Sequence, residues 1–252
     1  MVRGIELFRN YFKDYTDKYI LIGGTACDIA MDQMGLDFRA TKDLDIVLIV
    51  ETLDAQFGSL IWEFIKAGGY QNRQKSTGKA LFYRFYKPND DNFPYMLEFF
   101  ARKPNALNLP QEGPITPIPI DQTVSSLSAI LLDDDYYGFI VEGKTISEDI
   151  SSISPEYLIP MKAKAYLDLS ALKKAGEHVD SKDIKKHKND VFRLSQTLAP
   201  EAKIEVPQAI TEDLRHFLET VIQDPPILKN LGIVNSNLDD VISNLKHIYG
   251  IL

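Results

Sequence analysis

Residues 19–50, YILIGGTACDIAMDQMGLDFRATKDLDIVLIV, decide the reading of this chain. Tyr19-Ile20-Leu21-Ile22 is a short, wholly apolar run that stops at Gly23-Gly24, the pattern of a buried strand ending in a glycine turn. Residues 25–34 then read as a helix that opens directly after the glycines, with Gly35 closing it. Residues 38–42 connect to residues 44–50, a second continuous apolar, β-branched strand. At the mouth of that strand stands Asp43-Leu44-Asp45. Residues i and i+2 of a strand point to the same side, so two carboxylates are presented together. They repel unless a cation lies between them, and a hard divalent ion with oxygen ligands, Mg²⁺ or Mn²⁺, suits them.

Taken alone, an Asp-x-Asp is a weak signal, and two solvated aspartates opening a strand is the plainer alternative. Three neighbours strengthen it. Gly23-Gly24-Thr25 sits at a strand-to-helix turn, where glycines admit a ligand to the backbone and the helix N-terminus offers free N–H groups to an anion. Glu98 lies among Leu97, Phe99 and Phe100, where a carboxylate is costly without a partner; an edge strand with Glu98 facing water is the alternative. Arg39 and Lys42 precede the aspartates and can meet a triphosphate.

Outward from this stretch, residues 5–15 read as an amphipathic helix and residues 53–68 as another. Residues 80–86 (ALFYRFY) and 95–100 (YMLEFF) read as a hairpin around the turn cluster 88–92. Residues 104–119 hold five prolines and read as an extended loop. Residues 124–132 read as a helix, Asp133-Asp134-Asp135 as a solvated turn, and residues 136–146 as a strand pair or a strand broken at glycine. From Pro155 on the pattern is helical, over residues 155–172, 181–198, 211–223 and 237–249. The expected fold is thus an α/β (α+β) domain with a small mixed sheet over residues 1–150, then an α-helical C-terminal domain over residues 151–252.

The chain has 252 residues, 44% hydrophobic and 25% charged, ordinary globular usage that can bury a real core. Its apolar runs are far shorter than the roughly 20 residues of a membrane helix, so no membrane partner is expected. The N-terminal segment lacks the continuous apolar core of a signal peptide. The single cysteine, Cys27, excludes an intrachain disulfide; together these point to the cytoplasm. A net charge of −8 argues against a non-specific grip on duplex nucleic acid. A local basic run, Lys173, Lys174, Lys182, Lys185, Lys186, Lys188 and Arg193, reads either as a solvated helix face or as a phosphate surface. Cys27 and Trp62 read as core, and the four histidines as surface residues without ligand spacing.

The glycine pair with Thr25, the apolar-flanked Asp43-Leu44-Asp45 and the later carboxylate Glu98 together resemble the DNA polymerase beta-type nucleotidyltransferase superfamily. The segments LIGGTACDIA and RATKDLDIVL, followed by MKAKAYLDL and KDIKKHKNDVFRL, resemble more narrowly its AbiEii-like branch, known for toxins of bacterial toxin–antitoxin and phage-defence systems. Glu98 departs from the aspartate more usual in the superfamily. The resemblance implies that Asp43, Asp45 and Glu98 are catalytic and hold Mg²⁺ or Mn²⁺. It also implies that Gly23, Gly24, Thr25, Arg39, Lys42 and Lys162 bind the nucleotide, with Lys164 as the alternative to Lys162 and Asp190 as its matching aspartate. The implied reaction moves a nucleoside monophosphate from a nucleoside triphosphate onto an RNA 3′ end, such as that of a tRNA, or onto a protein hydroxyl; an antitoxin protein is an implied partner. The alternatives are a catalytically inactive nucleotide-binding module acting through protein partners, or an unrelated Asp-x-Asp enzyme, phosphatase or glycosyltransferase.

Overall fold

The structure is a computed structural model that describes residues 2–72, 82–101, 130 and 133–251. The expected proline-rich loop, and the expected helix 124–132 apart from Ile130, lie outside the described residues. The chain divides into two units. One is drawn from Met1–Asp32, Asp37–Ile120 and Lys144–Ile153, the other from Gln33–Leu36, Asp121–Gly143 and Ser154–Leu252. The division is therefore not a single cut near residue 150.

In the first unit the described elements are α1 (Ile5–Phe12), β1 (Tyr19–Ile22), α2 (Gly23–Gln33) and β2 (Asp43–Leu48). Then come α3 (Ala55–Gly68), β3 (Gln71–Asn72), β4 (Phe82–Tyr86) and β5 (Met96–Ala101), and finally β6 (Lys144–Ser147) and β7 (Ile150–Ile153). Among the described residues seven strands form one mixed sheet in the order β3-β4-β5-β2-β1-β7-β6. β1 runs antiparallel to β2 and parallel to β7, while β2 runs parallel to β5. The expected β4–β5 hairpin is present as an antiparallel pair. The apolar runs of β1 and β2 follow from their place in the middle of the sheet, where neither face meets water: every residue of β1 is buried, and so are four of the six in β2.

One face of this sheet is covered by an aromatic cluster. Phe12 of α1 meets Tyr19, Phe57 and Phe64 edge-on at centroid distances of 6.3, 5.9 and 5.3 Å, the geometry that ring quadrupoles favour. Helix α3 presents Phe57, Ile61, Phe64 and Ile65 to this cluster, at helical spacing. Asp54 caps it by accepting from the Phe57 N–H.

The second unit holds helices α4 (Asp134–Glu142), α5 (Pro155–Lys174), α6 (Ser181–Leu194), α7 (Gln208–Gln223) and α8 (Leu238–Ile248). α5 packs against both α6 and α7, with Tyr166 and Phe217 ring to ring at 5.4 Å. The expected strands over residues 136–146 are a correction. Asp133, read as part of a loose turn, caps α4 by accepting from the N–H groups of Asp135 and Tyr136. Tyr136, Tyr137, Phe139 and Ile140 then fall on one buried helical face. Only residues 144–146 of that stretch are strand, the start of β6. The last two helices are also shifted from expectation: α7 begins three residues before Thr211, after Pro207, and Asn237 forms a capping box with Asp240 ahead of α8. Among the described residues no helix is long and apolar enough to cross a membrane.

Phe12→Ala is expected to cost about 3–5 kcal/mol of stability, read as a lowered midpoint of chemical denaturation; a midpoint at the wild-type value would show that the cluster is not the core.

Candidate active site

Sheet register builds the site. Asp45 of β2 stands opposite Ile22 of β1 on one side and Glu98 of β5 on the other. Glu98 in turn stands opposite Arg84 of β4. Arg84, Glu98 and Asp45 therefore form one row across three strands, on one face of the sheet. Glu98 is 7% exposed and lies on an interior strand, not on an edge. Its carboxyl is pushed up to about 8 by burial first, then by repulsion from Asp45 and a hydrogen bond shared with it. Arg84 pulls the other way: its Nε donates to Glu98 Oε1 at 2.5 Å.

The glycine turn faces the other side of Asp45. Gly23 has φ +67°, a left-handed conformation that opens α2 directly off β1. A Cβ added there would lie 1.7 Å from Asp45 Oδ2, so the carboxylate packs against bare Cα and only glycine leaves it room. At Gly24 a Cβ would lie 2.4 Å from Thr41 Oγ1 and 3.7 Å from Arg39 Nη2. The connection before β2 thus folds back over the turn and brings the Arg39 guanidinium to it. Thr25 is fully buried, and its hydroxyl donates to the Asp43 carbonyl at 2.7 Å. Its observed part is to tie the start of α2 to the start of β2, with the hydroxyl turned to protein. Cys27, buried as expected, donates its thiol to the Gly23 carbonyl at 3.1 Å. Lys42 is exposed, with Nζ 5.8 Å from the centre of the Tyr95 ring.

Of the expected site residues, the first unit therefore gathers Gly23, Gly24, Thr25, Asp45, Glu98 and Arg39, with Asp43 two positions before Asp45. Asp45 and Glu98 are hard oxygen donors already in contact, and they fit a divalent cation in chemistry and charge. Among the described residues, however, no group of three acidic, histidine or cysteine side chains is gathered to hold a metal ion. The structure brings together a pair of carboxylates, not a ready triad.

Two residues of this site escaped the sequence reading. Arg84 carried a usable signal: a lone cation in FYRFY faces a lone carboxylate in MLEFF once the hairpin is drawn. Thr41 carried none, because its contact with Gly24 depends on how the connection folds.

Lys162 lies in the second unit, on α5. It is 4% exposed, with Nζ 3.5 Å from Asp190 Oδ2 on α6. Arg193 approaches the other oxygen of Asp190 at 3.4 Å. The two residues matched by resemblance, Lys162 and Asp190, thus meet as a buried ion pair. Lys164 points elsewhere, to Asp213 at 3.2 Å and Asp168 at 3.5 Å, and lines a cavity of about 820 Å³ with Tyr136 and Glu212. The basic run is partly spent internally: Lys188 is buried with Nζ 2.5 Å from Asp224 Oδ2, and Lys186 pairs with Asp183 at 3.3 Å. Lys173, Lys174, Lys182 and Lys185 are exposed. His178, His216 and His247 are on the surface as expected, and His187 is half-buried.

Neither the known family models nor the curated proteins contain a match to this chain. Among solved structures it is similar to the crystal structure of an antigenic nucleotidyltransferase-like protein from Paracoccidioides brasiliensis. The identity is 16%, over 91% of this chain and 93% of that one, with a TM-score of 0.44. A likeness of that size settles neither fold nor activity.

Two variants test this geometry. Gly23→Ala must adopt a left-handed backbone and displace the Asp45 carboxylate, and is expected to cost well over about 1 kcal/mol in thermal denaturation; a neutral effect would mean that the turn relaxes freely. Asp190→Ala leaves Lys162 buried without its carboxylate and is expected to cost about 3–5 kcal/mol; a loss under about 1 kcal/mol, the worth of a surface pair, would show that water reaches Lys162.

Proposed function

We propose that the first unit carries a divalent-cation-dependent nucleotidyltransferase centre. The observation that supports this reading most is the pair Asp45 and Glu98, held in contact next to a glycine turn that opens a helix. The N–H groups at the start of α2 bind the phosphates of a nucleoside triphosphate. Arg39 and Lys42 offset the triphosphate charge. Asp43, Asp45 and Glu98 are the residues that would hold Mg²⁺ or Mn²⁺. When bound, such an ion supplies charge neutralisation at the α-phosphate and lowers the pKa of the attacking hydroxyl. Glu98 accepts the proton of the acceptor hydroxyl. The acceptor oxygen bonds to the α-phosphorus, the bond to the β-phosphate bridging oxygen breaks, and pyrophosphate leaves. The acceptor is an RNA 3′ end, with tRNA as the natural case, or a protein hydroxyl. Thr25 serves by fixing Asp43 relative to the turn. The site proposed is confined to the first unit, and Lys162 is left with its pairing to Asp190.

The finer assignment, an AbiEii-like toxin working against an antitoxin, rests on the sequence resemblance alone. A second reading is favoured by one specific observation: the three carboxylates are not gathered. On that reading the chain binds a nucleoside triphosphate without turnover and acts through a protein partner.

The test is incubation of the full chain with each α-³²P-labelled nucleoside triphosphate, Mg²⁺ and total cellular RNA, beside an Asp43→Ala, Asp45→Ala double variant. Label in an RNA or protein band is expected with the wild type, lost on adding EDTA. The double variant should fall by about a thousandfold or more, the worth of several kcal/mol at the transition state. No label together with triphosphate binding by calorimetry would favour the second reading, and absence of both would reject the nucleotide reading altogether.

A further inference from the structure

We infer that Arg84 is a positioning residue for cation binding: from the neighbouring strand it holds one oxygen of Glu98, and so keeps that carboxylate beside Asp45 as half of a two-carboxylate clasp. The inference rests on the function proposed above and adds a residue to it.

The case starts from the row across the sheet. Arg84, Glu98 and Asp45 occupy register positions on β4, β5 and β2. Adjacent strands lie about 4.8 Å apart, so each side chain in such a row touches its neighbour. The row reads cation, carboxyl, carboxyl, with a hydrogen bond shared between Glu98 and Asp45. Once a cation takes the place of the shared proton, the two adjacent carboxylates push each other apart, and the longer and more flexible Glu98 needs a third group to hold it in place. Arg84 supplies the opposing pull from the far side. The side chain of Glu98 is 10% exposed and that of Arg84 23%, so water competes little for this bond. The donor is Nε, the nitrogen nearest the chain. A bond from Nε fixes the plane of the guanidinium as well as its distance, which an ammonium on a flexible stem does not do. That bond engages Oε1 of Glu98, while Asp45 hydrogen-bonds the same carboxyl from the other strand. Arg84 itself lies one strand beyond Asp45's neighbour and acts through Glu98.

A merely structural role is the competing explanation, in which Arg84 compensates a buried charge and has no bearing on cations. The two part on metal affinity in folded protein. The experiment titrates the full chain with Mn²⁺ and reads free Mn²⁺ by electron paramagnetic resonance, for wild type, Asp45→Asn, Glu98→Gln, Arg84→Met, Arg84→Lys and the Arg84→Met, Glu98→Gln double variant. Circular dichroism confirms that each is folded. Supporting groups around metal ligands typically contribute 10- to 100-fold in affinity, so Arg84→Met is expected to bind Mn²⁺ at least about tenfold more weakly. Arg84→Lys, which keeps the charge and loses the fixed plane, is expected between the two. In the Glu98→Gln background, Arg84→Met is expected to add no further loss. Wild-type affinity in folded Arg84→Met would overturn the inference. If that variant does not fold, wild-type affinity in Arg84→Lys overturns it instead. An undiminished loss in the Glu98→Gln background would also overturn it, since Arg84 would then act by another route. Failure of the underlying reading looks different: wild type without Mn²⁺ binding, or Asp45→Asn binding as tightly as wild type, would reject the cation site and the inference with it.

Discussion

Asp45 and Glu98 meet side by side in the middle of a buried sheet, and the first unit is organised around making that contact tolerable. A carboxylate out of water is costly, and two in contact cost more. Three features answer the cost. Arg84 supplies a counter-charge from β4. A hydrogen bond shared with Asp45 occupies Glu98 from the other strand. Gly23 gives Asp45 Oδ2 a place to lie that no side chain could share. The aromatic packing under the sheet does the opposite work, since Phe12, Phe57 and Phe64 contribute apolar burial with no polar group to satisfy. One sheet thus carries its stability on one set of residues and its chemistry on another.

Much of this architecture was legible in residues 19–50. The apolar runs of β1 and β2 could only be buried strands, and the glycine pair between an apolar run and a helical pattern could only be a turn. Glu98 was legible for a related reason: a carboxylate in a strand of Leu and Phe needs an explanation that burial makes pressing. The β6–β7 hairpin was not legible. Its two-residue turn is Glu148-Asp149, with φ of +47° and +60°, a conformation that usually announces itself by Asn or Gly. Here the turn is enforced by tertiary pairing: Ser151 donates its hydroxyl to the Tyr19 carbonyl at 2.6 Å. The α4 helix was misread because three successive aspartates look like a solvated turn until the first is seen to cap the helix. Among the site residues, the type of group was readable and its commitment was not. Thr25 was expected to offer a hydroxyl outward, and its hydroxyl is turned inward to the Asp43 carbonyl.

The helical unit shows the same limit from another angle. Spacing on α5 dictates that Lys162 and Lys164 point apart, and they do. It could not say what each meets, because the partners lie on other helices: Asp190 on α6 for one, Asp213 on α7 for the other. The basic run likewise reads as a continuous charged face in sequence, yet Lys188 and Arg193 turn inward to carboxylates. Charge counted along a helix overstates the charge offered to solvent wherever the helix packs on two neighbours.

The pairing of Leu21 with Ser152 has a consequence for synthesis. β1 leaves the ribosome before β7, which closes its free edge and follows about 130 residues later, an interval of roughly ten seconds at cellular elongation rates. During that interval the nascent chain carries a short, wholly apolar strand with one side unpaired, the feature that recruits foreign strands. Its brevity, four residues, is what keeps the exposure tolerable. No single cut of the gene yields the complete sheet without the segment between β5 and β6, so truncation at a boundary chosen from the sequence would express that open edge permanently.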